Sequence, residues 1–170
     1  MAATDRTLRL LALLLFLAAG ATILTALGFE HIGGYQPCAL CLRERLPYYV
    51  ALPITLVTVL AVWRSAPRGL LAALFGVLAI IWAVSFGLGV HHAGVEYHWW
   101  KGPDTCVQTG GPGDAASMFN SLQSGVSGPS CDEALWHLFG LSFAGWNAVA
   151  SLFLVALTIY ALYRTLAKRR

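Results

Sequence analysis

Four stretches of this chain carry no charged residue: Leu10–Phe29, Leu46–Trp63, Gly69–Val90 and Leu141–Tyr163, of 20, 18, 22 and 23 residues. The hydrocarbon core of a bilayer takes roughly 20 apolar residues as helix, so each stretch is long enough to span it. In lipid the backbone must satisfy its own hydrogen bonds, which makes each span a helix. Four buried helices of a soluble bundle would each need a polar face, and these stretches have almost none. The whole chain, one domain's worth at 170 residues, is 58% hydrophobic and only 11% charged. Its mean hydropathy is +0.67. The sequence therefore predicts an all-α membrane protein. It reads as a single domain over 1–170, a four-helix transmembrane bundle with spans at about 10–29, 46–63, 69–90 and 141–163. The first stretch follows Arg6 and Arg9 and contains "AAGA", as a secretory signal would, but a signal's apolar region is typically about 7–15 residues. An uncleaved anchor is the expectation. Pro47 is expected near the start of the second helix, where a missing N–H costs little, and Pro53 is expected to bend it.

Charge sets the orientation. Eight of the eleven basic residues (Arg6, Arg9, Arg64, Arg68, Arg164, Lys168, Arg169 and Arg170) lie at the termini or in the connection Arg64–Arg68. Seven of the eight acidic residues lie between the other span ends. The positive-inside rule then predicts both termini in the cytoplasm and two outer, periplasmic loops at 30–45 and 91–140. Topology accounts for the basic residues without a nucleic-acid partner. All four cysteines, Cys38, Cys41, Cys106 and Cys131, fall in the outer loops. An even number of cysteines on one side fits an oxidising compartment.

Several chemistries could use these cysteines. Structural zinc favours two close pairs, whereas here one C-x-x-C is followed by two cysteines with 24 residues between them. Covalent haem attachment needs C-x-x-C-H, and residue 42 is Leu. A Cys106–Cys131 staple would stabilise its loop by about 3 kcal/mol. A bridge across two residues removes little loop entropy and points instead to redox exchange. Cys38 and Cys41 stand about where the second span begins, and a helix N-terminus favours a thiolate. Arg45, one turn beyond Cys41, adds a positive field there, or snorkels to headgroups, or pairs with Glu44 or Glu30.

The segment "VQTGGPGDAASMFNSLQSGVSGPS" between Cys106 and Cys131 is rich in Gly, Ser and Pro, a composition of low stiffness. Two short interfacial helices are predicted in this loop. One would follow Asp114 and carry Met118, Phe119 and Leu122. The other would follow the capping box Ser130-x-x-Glu133, with Cys131 in its first turn and Trp136, Leu138 and Phe139 at the membrane surface. His91, His92 and His98 end the third span beside Trp99 and Trp100, which fit an interfacial belt. A solvated role for the histidines competes with ligation.

The run "PCALCLRER", a long second outer loop with a cysteine pair, "HHAGVE", "GPDTC" and "FGLSFAGWN" together resemble the disulfide-bond-formation protein B (DsbB) family, over nearly the whole chain. That resemblance implies a bacterial inner-membrane oxidoreductase that reoxidises a periplasmic DsbA-like thiol oxidase. The electrons would go to the quinone pool of the bilayer, ubiquinone or menaquinone. It implies that Cys38 and Cys41 form the membrane-edge pair, with Cys41 facing the quinone. Arg45 and His92 would stand near the quinone, and no metal is implied. Cys106 would take the partner's mixed disulfide, with Cys131 as its companion. Arg43 and Ala144 depart from the family pattern, at positions where relatives often carry an aromatic residue and a proline. Quinone-linked relatives of vitamin-K-epoxide reductase do similar work, but here the first pair stands before the second span. A disulfide-stapled scaffold and a metal-binding membrane protein are the alternatives.

Overall fold

The computed structural model describes residues 2–103, 130–134 and 136–167. Four helices follow in order: α1 (Ala2–His31), α2 (Ala39–Trp63), α3 (Arg68–Glu96) and α4 (Phe143–Ala167). All four are long and apolar enough to cross a membrane. Each packs on two neighbours, α1 on α2, α2 on α3, α3 on α4 and α4 on α1, which closes a four-helix bundle. This is the architecture the apolar stretches predict.

The buried faces repeat every three and four residues. On α3 they run Leu71, Phe75, Leu78, Trp82, Ser85, Gly89 and His92, the spacing that keeps one stripe against its neighbours. Ala12, Leu15, Ala19, Tyr48, Phe75, Leu78, Trp82 and Leu154 meet in the main core. The outward faces keep Leu24, Ile80, Leu152 and Ile159 exposed, as expected where lipid rather than water surrounds a helix. Gly89 lets α3 approach α4: a Cβ built there would lie 2.9 Å from the Ala148 nitrogen and 3.0 Å from its Cα. Such small-residue contacts bring membrane helices close without a hydrophobic drive between them.

Three expectations need correction. First, α2 begins at Ala39, so Pro47 lies inside the helix along with Pro53. Cys38 supplies the N-cap, accepting a hydrogen bond from the Cys41 amide across 3.2 Å, and that cap starts the helix two turns before the proline. Second, α3 continues to Glu96, because His92 prolongs the buried stripe past the end of the uncharged run. Third, no helix starts at Ser130 among the described residues. The Ser130 hydroxyl bonds to the Asp132 carboxylate and takes the Asp132 amide at 3.4 Å, which closes a local bend in place of the box with Glu133. The chain then enters a hairpin of β1 (His137–Leu138) and β2 (Leu141–Ser142), with Leu138 opposite Leu141. Phe139 and Gly140 turn it with φ of 52° and 81°, the pair of positive values that a two-residue turn matching strand twist requires. Tyr97 and Trp146 side chains donate to the Gly140 and Leu138 carbonyls and fasten the hairpin to the bundle. Cys106 and the predicted helix around Met118 lie outside the described residues.

Candidate redox site

The site lies where the C-terminal ends of α1 and α3 meet the N-terminal ends of α2 and α4. Cys38 is buried at the tip of α2 and Cys41 follows one turn later, their sulfurs 2.8 Å apart. Both are free. That separation is inside ordinary non-bonded contact and outside the roughly 2.05 Å of a disulfide, so the two sulfurs are placed for a bond to form between them. Two sulfurs on one tetrahedral zinc, each at about 2.3 Å, would stand well over 3 Å apart. The spacing fits thiol exchange better than metal ligation.

His92 approaches from α3. Its Nε2 is 3.6 Å from the Cys38 sulfur and its Nδ1 is 2.7 Å from Oε1 of Glu44 on α2. The other Glu44 oxygen accepts from the Asn147 amide at 2.8 Å. Asn147 in turn accepts from Tyr48 at 2.8 Å, and Tyr48 meets Ser151, itself 2.8 Å from Ser85. A continuous polar string thus runs from Cys38 into the apolar bundle. Glu96, one turn after His92, is engaged by the Ser142 hydroxyl of β2. Trp100 folds back over Gly94, donating to the His91 carbonyl at 2.8 Å. A Cβ on Gly94 would fall 2.1 Å from that indole, so any other residue there would displace Trp100 from the end of α3.

The hydrogen bond with Cys41 is the main cause that lowers the Cys38 thiol from its ordinary 9.0 to about 4; contact with His92 adds to it, against the opposing effect of burial. A depressed thiol stabilises the reduced form above its ordinary pKa, and that stabilisation is lost as pH falls through about 4. With Cys106 and Cys131 replaced by serine and the inner pair reduced, thiolate absorbance at 240 nm should stay constant from pH 8 to pH 5. It should then vanish with a midpoint about 4; a midpoint near 9 would mean that the contacts do not hold the anion.

Cys41 faces the other way. With Arg45, Glu44, Tyr48, His92 and Asn147 it lines a cavity of about 460 Å³ walled by α1, α2, α4 and the hairpin. Phe29, Tyr35, Trp136 and Phe143 close one side as an aromatic cluster, the last two stacked at 4.8 Å. Arg45 is paired with Glu30 of α1, one of the partners expected for it, and lines the cavity. The helix end and the arginine therefore stand by different sulfurs: Cys38 caps the N-terminus of α2, while Arg45 shares the cavity with Cys41. Cys131, only 1% exposed and held in a disulfide, packs with Cys38, Leu40 and Val95 in one buried cluster.

Of the predicted site residues, Cys38, Cys41, Cys131, Arg45 and His92 all come to this end of the bundle; Cys106 lies outside the described residues. Glu44 and Asn147 were not singled out from the sequence as site residues. The signal for Glu44 was its place on the Cys41–Glu44–Tyr48 stripe at helical spacing, which makes a charged residue share the buried face. Asn147 is a lone amide in an otherwise apolar span, and polar groups at such depth are usually functional.

The family model described as Disulfide bond formation protein DsbB matches residues 8–161. A Disulfide bond formation protein B of Marinobacter nauticus is 31% identical, with 92% of each chain covered. One from Acinetobacter baumannii is also 31% identical, over 92% of this chain and 91% of that protein. Another, from Saccharophagus degradans, is 28% identical over 88% and 89%. No solved structure matches the chain.

Proposed function

Because this chain belongs to the DsbB family of disulfide bond formation proteins, multi-pass membrane oxidoreductases, we propose that it reoxidises a periplasmic DsbA-like thiol oxidase and delivers the electrons to membrane quinone. In this reading it sits in the bacterial inner membrane with both termini cytoplasmic. One observation carries it: Cys131 and Cys38 share one buried cluster, against which Cys41 packs, while Cys41 also lines the apolar cavity. The inner pair is thus joined to the outer pair on one side and to a lipid-like space on the other.

Exchange proceeds by thiolate attack on disulfide sulfur. The partner's thiolate attacks Cys106 of a Cys106–Cys131 disulfide, Cys131 leaves, and the partner's second thiol releases itself oxidised. The Cys131 thiolate attacks Cys38 of the Cys38–Cys41 disulfide, and Cys41 leaves. Cys106 then attacks Cys131, which restores the outer disulfide and frees Cys38. The inner pair is now a dithiol holding both electrons.

The cavity fits the group that the family implies. Its aromatic walls suit a flat conjugated ring, and its few polar groups, Arg45 above all, suit a ring carbonyl. When bound, a quinone supplies a two-electron, two-proton sink. Arg45 would hold its oxygen and Cys41 would stand at the ring, while the aromatic cluster keeps water out.

The test mixes the purified protein with a short-chain ubiquinone and a reduced thioredoxin-fold dithiol. Quinone loss should match partner oxidation one to one; oxidation of the dithiol without quinone loss would sink the reading. Arg45→Ala should raise the KM for quinone about tenfold or more, as loss of a charge-assisted hydrogen bond costs roughly 1.5–3 kcal/mol. Partner exchange should stay unchanged. An unaltered KM would leave Arg45 as no more than the partner of Glu30.

A further inference from the structure

Reducing a disulfide takes up two electrons and two protons, yet the reduced inner pair keeps only one proton on sulfur. Contact with Cys41, and with His92 besides, lowers the Cys38 thiol well below its ordinary range and so favours the thiolate, which leaves the Cys41 sulfur as the place for the remaining proton. Unless a second proton is held nearby, each reduction adds a net negative charge to a dry pocket, which is costly.

His92 is built to hold it. The ring is 3% exposed and has a partner at each nitrogen, the Cys38 sulfur at 3.6 Å and the Glu44 carboxylate at 2.7 Å; with Cys38 as the thiolate, both are acceptors. Imidazole presents two N–H donors only when it carries the extra proton. Asn147 fixes the far oxygen of Glu44 at 2.8 Å, which orients the carboxylate. Among the described residues, the other ionisable groups near the ring include Glu96, 3.9 Å from Nε2 and engaged by Ser142, Cys41, and across the cavity Arg45 and Tyr48. His92 and Glu44 both line that cavity as well, so the ring stands between the sulfur that stores electrons and the space that receives them.

We propose that His92, clamped between Cys38 and Glu44, stores one proton for as long as the inner pair is reduced and gives it up on the cavity side when the pair closes. The inference rests on the electron-delivery reading above only for its second half. On reduction the Cys38–Cys41 bond breaks and two electrons enter. One proton goes to the Cys41 sulfur and one to His92 Nε2, leaving a thiolate beside an imidazolium. On closure the Cys38 sulfur bonds to the Cys41 sulfur and two electrons leave for the quinone. The protons of Cys41 and His92 follow them. Proton release is tied to electron release because the thiolate that retained the proton ceases to exist once the disulfide forms.

The experiment uses full-length protein with Cys106→Ser and Cys131→Ser, free of quinone and labelled with 15N-histidine. The His92 signals are assigned by their loss in His92→Gln. At pH 7.5 both ring nitrogens should be protonated with the inner pair reduced and only one with it oxidised. The same ring charge in both states overturns the proposal. A second measurement equilibrates the inner pair with dithiothreitol, itself a two-proton couple below its thiol pKa. The reduced-to-oxidised ratio should be flat from pH 6 to 8, whereas a couple binding one proton drifts tenfold per pH unit toward the reduced protein. A tenfold drift in the protein with His92 and Glu44 intact also overturns the proposal. Glu44→Gln, which keeps the hydrogen-bonding shape and removes the anion, should leave the reduced-state ring neutral; a ring still protonated there removes Glu44 from the device. With a short-chain ubiquinone added, His92→Gln should slow closure of the inner pair about 100-fold at pH 8 and less at pH 6, the range for loss of a general acid. An unchanged rate sinks the delivery half. The first two measurements contain no quinone, so their failure leaves the electron-delivery reading standing. Inability of the unaltered protein to reduce quinone sinks that reading and leaves the proton store intact.

Discussion

Serine at position 41 should abolish quinone reduction whatever the electron source, whereas serine at position 106 should abolish it only when the source is the protein partner. Cys41 lines the cavity and closes on Cys38, 2.8 Å away. Without it the inner pair can neither hold two electrons nor release them, and loss of such a reacting group costs at least about 10³-fold. Cys106→Ser leaves that pair intact. A small dithiol such as dithiothreitol should still reduce Cys38–Cys41 and drive quinone loss, while the thioredoxin-fold partner remains reduced. Quinone absorbance and a thiol gel-shift of the partner read the two arms separately. Normal partner oxidation in Cys106→Ser would overturn the entry point, and residual turnover in Cys41→Ser would overturn the exit.

Gly89→Leu should markedly destabilise the packing of α3 on α4. The atoms that meet a new Cβ are the backbone nitrogen and Cα of Ala148, and backbone cannot swing aside as a flexible side chain can. The helices must part instead, at an overpacking cost of about 3 kcal/mol. Unfolding in detergent should then occur several degrees lower, and Gly76→Leu on the same helix, where nothing lies within 4 Å, should behave as the unaltered protein. Equal thermal midpoints for the two variants would show that the close approach at Gly89 is not a constraint. Parting α3 from α4 also spoils the Ser85–Ser151 contact, so quinone turnover should fall with stability.

The four helices were legible because an uncharged run of about 20 residues has few other physical uses. The C-x-x-C was legible because its spacing closes no useful loop. What stayed hidden depends on partners distant in the chain. Nothing near Glu44 announces His92, 48 residues away, and a histidine at the end of a span reads equally well as solvated. Pro47 suggested a helix start, but the Cys38 cap, itself part of the redox pair, set the start earlier. Ser130-x-x-Glu133 carried the right letters for a cap, yet Asp132 stood closer to the hydroxyl and took it. Phe139–Gly140 is a weak turn signal because Phe rarely tolerates positive φ; the hairpin fastened by Tyr97 and Trp146 imposes it.

The string Glu44–Asn147–Tyr48–Ser151–Ser85 joins α2, α3 and α4. Among the described residues α1 contributes nothing to it, meeting the others through apolar contacts and the Glu30–Arg45 pair. Greasy surfaces sliding over one another in lipid pay little for a twist about the helix axis, whereas a severed link in that string leaves a polar atom stranded. Three helices are therefore held in azimuth by polar links, which makes their side of the chamber the stiffer wall.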